Sequence, residues 1–299
     1  MGSFAHRSCL KQVPRCMPSI NKRAFSATVR SNAEVKKLGV IGAGQMASID
    51  KGLKFADKLL AKDVSKQRIS QDDADAARQR LVPATDMGAL SEVDMVIEAV
   101  PEIIDLKTKI FAQLAKLAPS HAVLATNTSS ISITKIAAAT TTDPTDLSAA
   151  SRVVSTHFMN PVPIQKGVEI ITGLQTSPET LATSIEFCKR MGKIPSVSQD
   201  SPGFLANRIL MPYINEAIIC LETGVGAKED IDAIMKNGTN VPMGPLQLAD
   251  FIGLDTCLAI MRVLHQELGD SKYRPSVLLT KMVDAGWLGK KSGKGFYDY

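Results

Sequence analysis

The sequence predicts a two-domain α/β protein, in which a largely parallel sheet covered by helices on both faces is followed by an all-helical domain. Three observations carry this prediction. Short apolar runs alternate with helical patterns as far as residue 200, the first of those runs ends in a glycine-rich turn, and residues 201–299 are almost free of strand patterning. A chain of 299 residues is long enough for two cores.

The N-terminal stretch 1–33 contains Arg7, Lys11, Arg15, Lys22, Arg23 and Arg30 and neither Asp nor Glu. Basic, acid-free and rich in Ser, it has the character of a mitochondrial transit peptide; a disordered basic tail is the plainer alternative. Without these six residues the formal charge of +5 falls to about −1, which removes the support for a nucleic-acid partner. No apolar run has the length of a membrane span. The cysteines at 9, 16, 188, 220 and 257 show no paired spacing, so neither a zinc site nor a disulfide framework is expected.

From residue 34 the pattern reads as a sheet domain to 200. "VKKLGVIGAG" is a short buried strand entering a turn. Phe55, Leu59, Leu60 and Val64 recur at helical spacing, and Ser70 offers a cap for a second helix. Strands are predicted over 93–100, 121–129, 152–158 and 168–173, with the helical "DLKTKIFAQLAKLA" between the first two. Beyond a boundary placed close to Asp200, four helical stretches follow: one from Pro202 to Gly224, then "AKEDIDAIMKNG", "LQLADFIGLDTCLAIMRVLHQELG" and "PSVLLTKMVDAG".

Gly42, Gly44 and Ala47 spell G-x-G-x-x-A directly after the first strand. Gly42 permits the tight turn, Gly44 admits a pyrophosphate to the backbone, and a following helix would offer its N-terminal amides; a purely structural turn is the alternative. The sheet domain is therefore Rossmann-like. It is also incomplete, because such a half-domain needs a helix, a second strand and an acidic residue about twenty positions on for the ribose hydroxyls. Asp50 comes too early, and "SIDKGLKFADKLL" continues as helix. The second strand and its carboxylate are absent, which is expected to leave neighbouring strands unpaired or to force them together across a gap.

His157 ends one strand and Glu169 begins the next, with Asn160, Pro161 and Pro163 between them. A carboxylate on one imidazole nitrogen fixes the tautomer and leaves the other nitrogen to take a proton; a surface ion pair is the alternative. His121 and His265 lack such a companion. Asn127 and Ser129 follow a strand and Asn207 lies in the first helix of the second domain, where each either faces a cleft or stabilises a loop. No nucleophile elbow, Walker loop or metal triad is present, which favours redox chemistry through a bound cofactor.

Taken together, "GVIGAGQM", "DMVIEAVPE", "ATNTSSISIT", "THFMNPVP", "VEII", "DSPGFLANR", "MGPLQLADFIGLD" and "GKKSGKGFYDY" resemble the short-chain L-3-hydroxyacyl-CoA dehydrogenases, close to the 3-hydroxybutyryl-CoA enzymes, over about residues 35–299. The resemblance implies NAD as cofactor, an acyl-CoA substrate, a homodimer built through the C-terminal domain and, with the basic leader, a mitochondrial matrix location. It makes His157 the catalytic base with Glu169 as its orienting partner, and Ser129, Asn160 and Asn207 substrate-side residues. Gly42, Gly44, Gln45 and Met46 would form the cofactor loop, with Glu102 and Lys107 near the nicotinamide ribose. Ile103 departs from the commonest family form. Lys51, Lys54, Lys58 and Lys62 lie in the segment that approaches the CoA phosphates, with no choice made among them. After Met46 about twenty-five residues of the family pattern are missing, including the second strand. Two other readings stand beside a dehydrogenase: a non-catalytic remnant acting as a dimerising or interaction protein, and a dehydrogenase of free hydroxyacids.

Overall fold

The computed structural model describes residues 34–42 and 49–299. The leader, and Gly44, Gln45, Met46 and Ala47 of the glycine turn, lie outside the described residues. Six strands form one sheet in the order β1 (Leu38–Ile41), β2 (Met95–Glu98), β3 (Val123–Thr126), β4 (Val153–Phe158), β5 (Gly167–Thr172), β6 (Ile194–Gln199). Pairing is parallel from β1 to β4, antiparallel between β4 and β5, and parallel again between β5 and β6. Strands β2 and β3 are buried throughout, as the near-continuous apolar runs of a covered parallel sheet require.

Helices α3 (Ile104–Leu117) and α4 (Ile133–Ala138) contribute Ile110, Phe111, Leu114, Ile133 and Ile136 to the core on one face of the sheet. Helix α5 (Pro178–Arg190), started by a Ser177 cap and Pro178, lies with β4, β5 and β6, and its Cys188 joins Met95, Ile97, Val154 and Ile170 in a second core. Burial pushes the Cys188 thiol up to about 11, so it packs as a small apolar group.

The missing strand leaves no gap inside the sheet. β1 pairs directly with β2 in register, Leu38 opposite Met95 and Ile41 opposite Glu98, and the loss falls at the outer edge of β1. Among the described residues nothing pairs with that edge, and Leu38 and Val40 stand 41% and 51% exposed. The chain then enters a helical hairpin, α1 (Ile49–Ser65) and α2 (Gln71–Gln79), joined by Arg78 to Asp57 at 2.6 Å; Ser70 and Asp73 form a reciprocal capping box. No residue of α1 is buried.

The second domain packs α6 (Ala206–Glu222), α7 (Lys228–Gly238), α8 (Pro245–Ile252), α9 (Leu254–Leu268) and α10 (Val277–Asp284) around Met211, Ile218, Leu246, Leu258, Met261 and Leu279. The stretch expected as one helix over 246–269 breaks at Gly253, whose φ of +105° no continuing helix adopts. Strand β6, which the sequence pattern does not reveal, is an edge strand carrying Pro195; of its side chains only Ser198 is buried.

Candidate active site

The antiparallel β4–β5 pair places His157 directly opposite Glu169. Their side chains meet on one face, with Nδ1 of His157 2.9 Å from Oε2 of Glu169. Both are nearly buried, at 7% and 6% exposure. The second oxygen of Glu169 accepts from the backbone N–H groups of Leu205 at 2.8 Å and Ala206 at 2.9 Å, at the first turn of α6. Burial pushes the Glu169 carboxyl up, but the His157 hydrogen bond and the Ala206 and Leu205 amides outweigh it and hold the group below its ordinary value. The Phe204 ring stands edge-on to the imidazole, 6.1 Å between centroids.

The other imidazole nitrogen, Nε2, lies 3.0 Å from Oγ of Ser129 in the loop after β3. That loop hangs on Glu102, whose Oε1 accepts from the N–H groups of Ser129 and Ser130, from the Ser130 hydroxyl and, closest, from the Thr128 hydroxyl. Burial raises the Glu102 carboxyl, yet the Thr128 hydroxyl, the Lys107 ammonium and the serine donors together keep it below its ordinary value. Asn207 donates from Nδ2 to the Ser129 carbonyl at 3.2 Å, so α6 is bonded to the same loop. Asn127 accepts from the Phe158 amide and ties the ends of β3 and β4 together.

These groups face a cleft of about 800 Å³ between the sheet and the helical domain. His157, Ser129, Asn160, Asn207 and Glu102 line it, with Ala99 to Pro101 on one side and Phe251 to Val263 of α8 and α9 on the other. The α8–α9 wall escaped the sequence reading because its lining is mostly apolar helix surface without a chemical signature.

Lys107 is buried behind the cleft wall, beside Glu102. It is 1% exposed, does not line the cleft, and pairs with fully buried Glu98 at 2.7 Å and with Glu102 at 3.5 Å. Glu98 also accepts from the Val100 amide at 2.6 Å and the Thr126 hydroxyl at 2.7 Å. The pair is thus a buried brace beneath the Glu102 loop, and no motif in the sequence marks Glu98's part in it. Gly42 sits where the turn demands glycine: its φ is +81°, and a Cβ there would lie 2.8 Å from the Val100 nitrogen. His121 reaches Asp94 at 3.2 Å on the surface, away from the cleft.

The sequence model of the 3-hydroxyacyl-CoA dehydrogenase NAD-binding domain matches residues 29–201, and that of the 3-hydroxyacyl-CoA dehydrogenase C-terminal domain matches 203–299. The chain belongs to the 3-hydroxyacyl-CoA dehydrogenase family. Among its relatives in that family, a probable 3-hydroxybutyryl-CoA dehydrogenase of Bacillus subtilis (strain 168) is 46% identical over 288 residues, covering 89% of this chain and 98% of its own. The human mitochondrial hydroxyacyl-coenzyme A dehydrogenase is 39% identical over 258 residues, covering 85% of this chain and 80% of its own. The crystal structure of (S)-3-hydroxybutyryl-CoA dehydrogenase from Ralstonia eutropha superposes with a TM-score of 0.84 at 41% identity, covering 89% of this chain and 99% of that one.

The family's cofactor is NAD, and the residues present fit it at one end. The Gly42 turn, the Ala99–Glu102 segment, Asn127 and Ser129 surround the place where strand ends gather polar groups, as the nicotinamide end of such a cofactor requires. At the adenosine end no described strand lies beyond β1, and so no carboxylate is carried at the end of one.

The Glu169 interactions give a signed pH dependence. A carboxyl held below its ordinary value of 4.5 adds stability that is complete above that value and is lost as pH falls through the lowered folded value. Glu169→Gln is therefore expected to flatten the acid limb of the stability profile from about pH 4.5 downward through the lowered folded value, measured by urea unfolding at a series of pH values; an unchanged limb would show that the pairing does not persist in solution.

Proposed function

We propose that the protein is an NAD-dependent dehydrogenase of (S)-3-hydroxyacyl-CoA, oxidising short-chain substrates such as 3-hydroxybutyryl-CoA reversibly to the 3-oxoacyl-CoA. The single observation carrying this reading is the Ser129–His157–Glu169 chain of hydrogen bonds, nearly buried and open at Ser129 to the cleft. With Glu169 accepting at Nδ1, the imidazole keeps its proton on that nitrogen and offers the Nε2 lone pair to the substrate's 3-hydroxyl. Once Nε2 takes the proton, the same carboxylate stabilises the imidazolium. Ser129 and Asn207 hold the oxygen in place, and Phe204 keeps water from the back of the ring. NAD⁺, when bound, supplies the hydride acceptor that oxidation of a secondary alcohol requires. In the reducing direction His157 returns the proton to the forming alkoxide.

The test is NADH oxidation by the purified chain with acetoacetyl-CoA as acceptor. CoA-dependent turnover is expected; turnover with free acetoacetate alone would favour a hydroxyacid dehydrogenase, and no turnover from a folded sample would favour the non-catalytic remnant.

A homodimer through the helical domain belongs to the same proposal. Ile209, Val225 and Ile234 are 70%, 76% and 67% exposed, and an apolar depression lined by Ala217, Cys220 and Ile231 lies on the same domain. Such surface on one domain favours association. Sedimentation is expected to give twice the monomer mass and Ile234→Glu to shift it toward the monomer; a monomeric parent protein would end the idea. The acid-free leader supports a matrix location, which import into isolated mitochondria followed by N-terminal sequencing tests.

A further inference from the structure

We infer that this chain recognises its cofactor through the nicotinamide mononucleotide half alone, so that reduced nicotinamide mononucleotide, NMNH, takes the place of NADH with little loss. The inference rests on the dehydrogenase reading above and narrows which part of the cofactor the site holds.

A dinucleotide site of this architecture is built in two halves. The half that receives nicotinamide is formed at the carboxyl ends of β2, β3 and β4. Here it is intact: Glu102, Asn127 and Ser129 all line the cleft, and the buried Glu98–Lys107 brace supports the Ala99–Glu102 segment. The half that receives adenosine needs three parts: a helix packed on the sheet just after the glycine turn, a second strand beside β1, and an acidic side chain at that strand's end. Residues 43–48 alone separate Gly42 from Ile49, the first residue of α1. A crossover to a parallel strand takes about 10–12 residues, so this connection is too short to make one. Helix α1 does not replace the packed helix, because none of its residues is buried and its principal neighbour is α2. The stretch that follows α2, 81–86, forms no strand and leaves Val82 83% exposed.

The bare side of β1 agrees with this. Leu38 and Val40, on the face that Met95 and Ile97 continue beneath α5, are half-exposed, and no described helix covers them. The alignment with the Bacillus relative points the same way, since it extends over 288 residues while taking in only 89% of this 299-residue chain. The relative therefore carries residues for which this chain has no counterpart.

Without the strand-end carboxylate and the surface that would cover the adenine, the adenosine moiety is left in solvent. It adds little affinity, because only groups that leave water for a matched surface contribute. Recognition then falls on the nicotinamide ring, its ribose and the adjoining phosphate near Gly42. The same absence removes the charge that would repel a 2′-phosphate, so NADPH is accepted beside NADH.

Calorimetric titration of the full chain with NADH, NMNH and AMP tests the inference without reference to turnover. The dissociation constants of NADH and NMNH are expected to lie within about tenfold of one another, with AMP failing to displace NADH. A larger preference for NADH, or displacement by AMP, would overturn the half-site and leave the dehydrogenase reading standing. Binding of neither nicotinamide compound by a folded sample would overturn both.

Discussion

Replacing His157 by alanine is expected to lower the turnover of acetoacetyl-CoA with NADH by about a hundred- to ten-thousand-fold, the usual contribution of a positioned acid–base group. Binding of NADH, measured separately by calorimetry, should change little, because the imidazole reaches Ser129 and Glu169 and lies apart from the Gly42 turn. The fold should survive as well, since the truncation leaves Glu169 its two amide donors on α6. Equal losses in turnover and NADH binding would mean that His157 supports the cofactor cleft and does not move a proton.

The largest effect on stability is expected from Lys107→Met. Glu98 has no exposed surface, and the Lys107 ammonium at 2.7 Å is its counter-charge. Removing one partner of a buried pair leaves the other charged in a medium that solvates it poorly, at a cost of about 3–5 kcal/mol. The Val100 and Thr126 donors to Glu98 remain and reduce that cost without cancelling it. The midpoint of urea unfolding should fall accordingly, and the double variant Glu98→Gln/Lys107→Met should recover part of the loss. A change below about 1 kcal/mol would place this pair with solvated surface bridges. The variant also withdraws a cation from beneath Glu102, so the loop bearing Ser129 should loosen with it.

The legible parts of the site are those whose chemistry and spacing agree. His157 and Glu169 end and begin successive strands across a proline-containing turn, and the antiparallel register then sets them opposite each other. The strand pattern from 93 to 173 was equally plain, because buried parallel strands carry unbroken apolar runs. Glu98 and Lys107 were not legible as a pair. In sequence they are an acid at a strand end and a base on a helix, each of an ordinary surface type, and only the packing of α3 over β2 buries both. Strand β6 was hidden for the opposite reason: it is mostly exposed and carries a proline, so no apolar alternation marks it. The break at Gly253 was masked by apolar periodicity that continues on either side of it.

The two oxygens of Glu169 serve two domains, one turned to the imidazole of β4 and the other to the first amides of α6. Asn207 of α6 adds a second tie by donating to the Ser129 carbonyl in the loop after β3. The seam between sheet and helices is therefore not a line along which the protein divides into interchangeable modules. A sheet domain severed there would retain every strand and still lack an oriented base, because the group that aims the histidine is itself aimed from the other side of the cut.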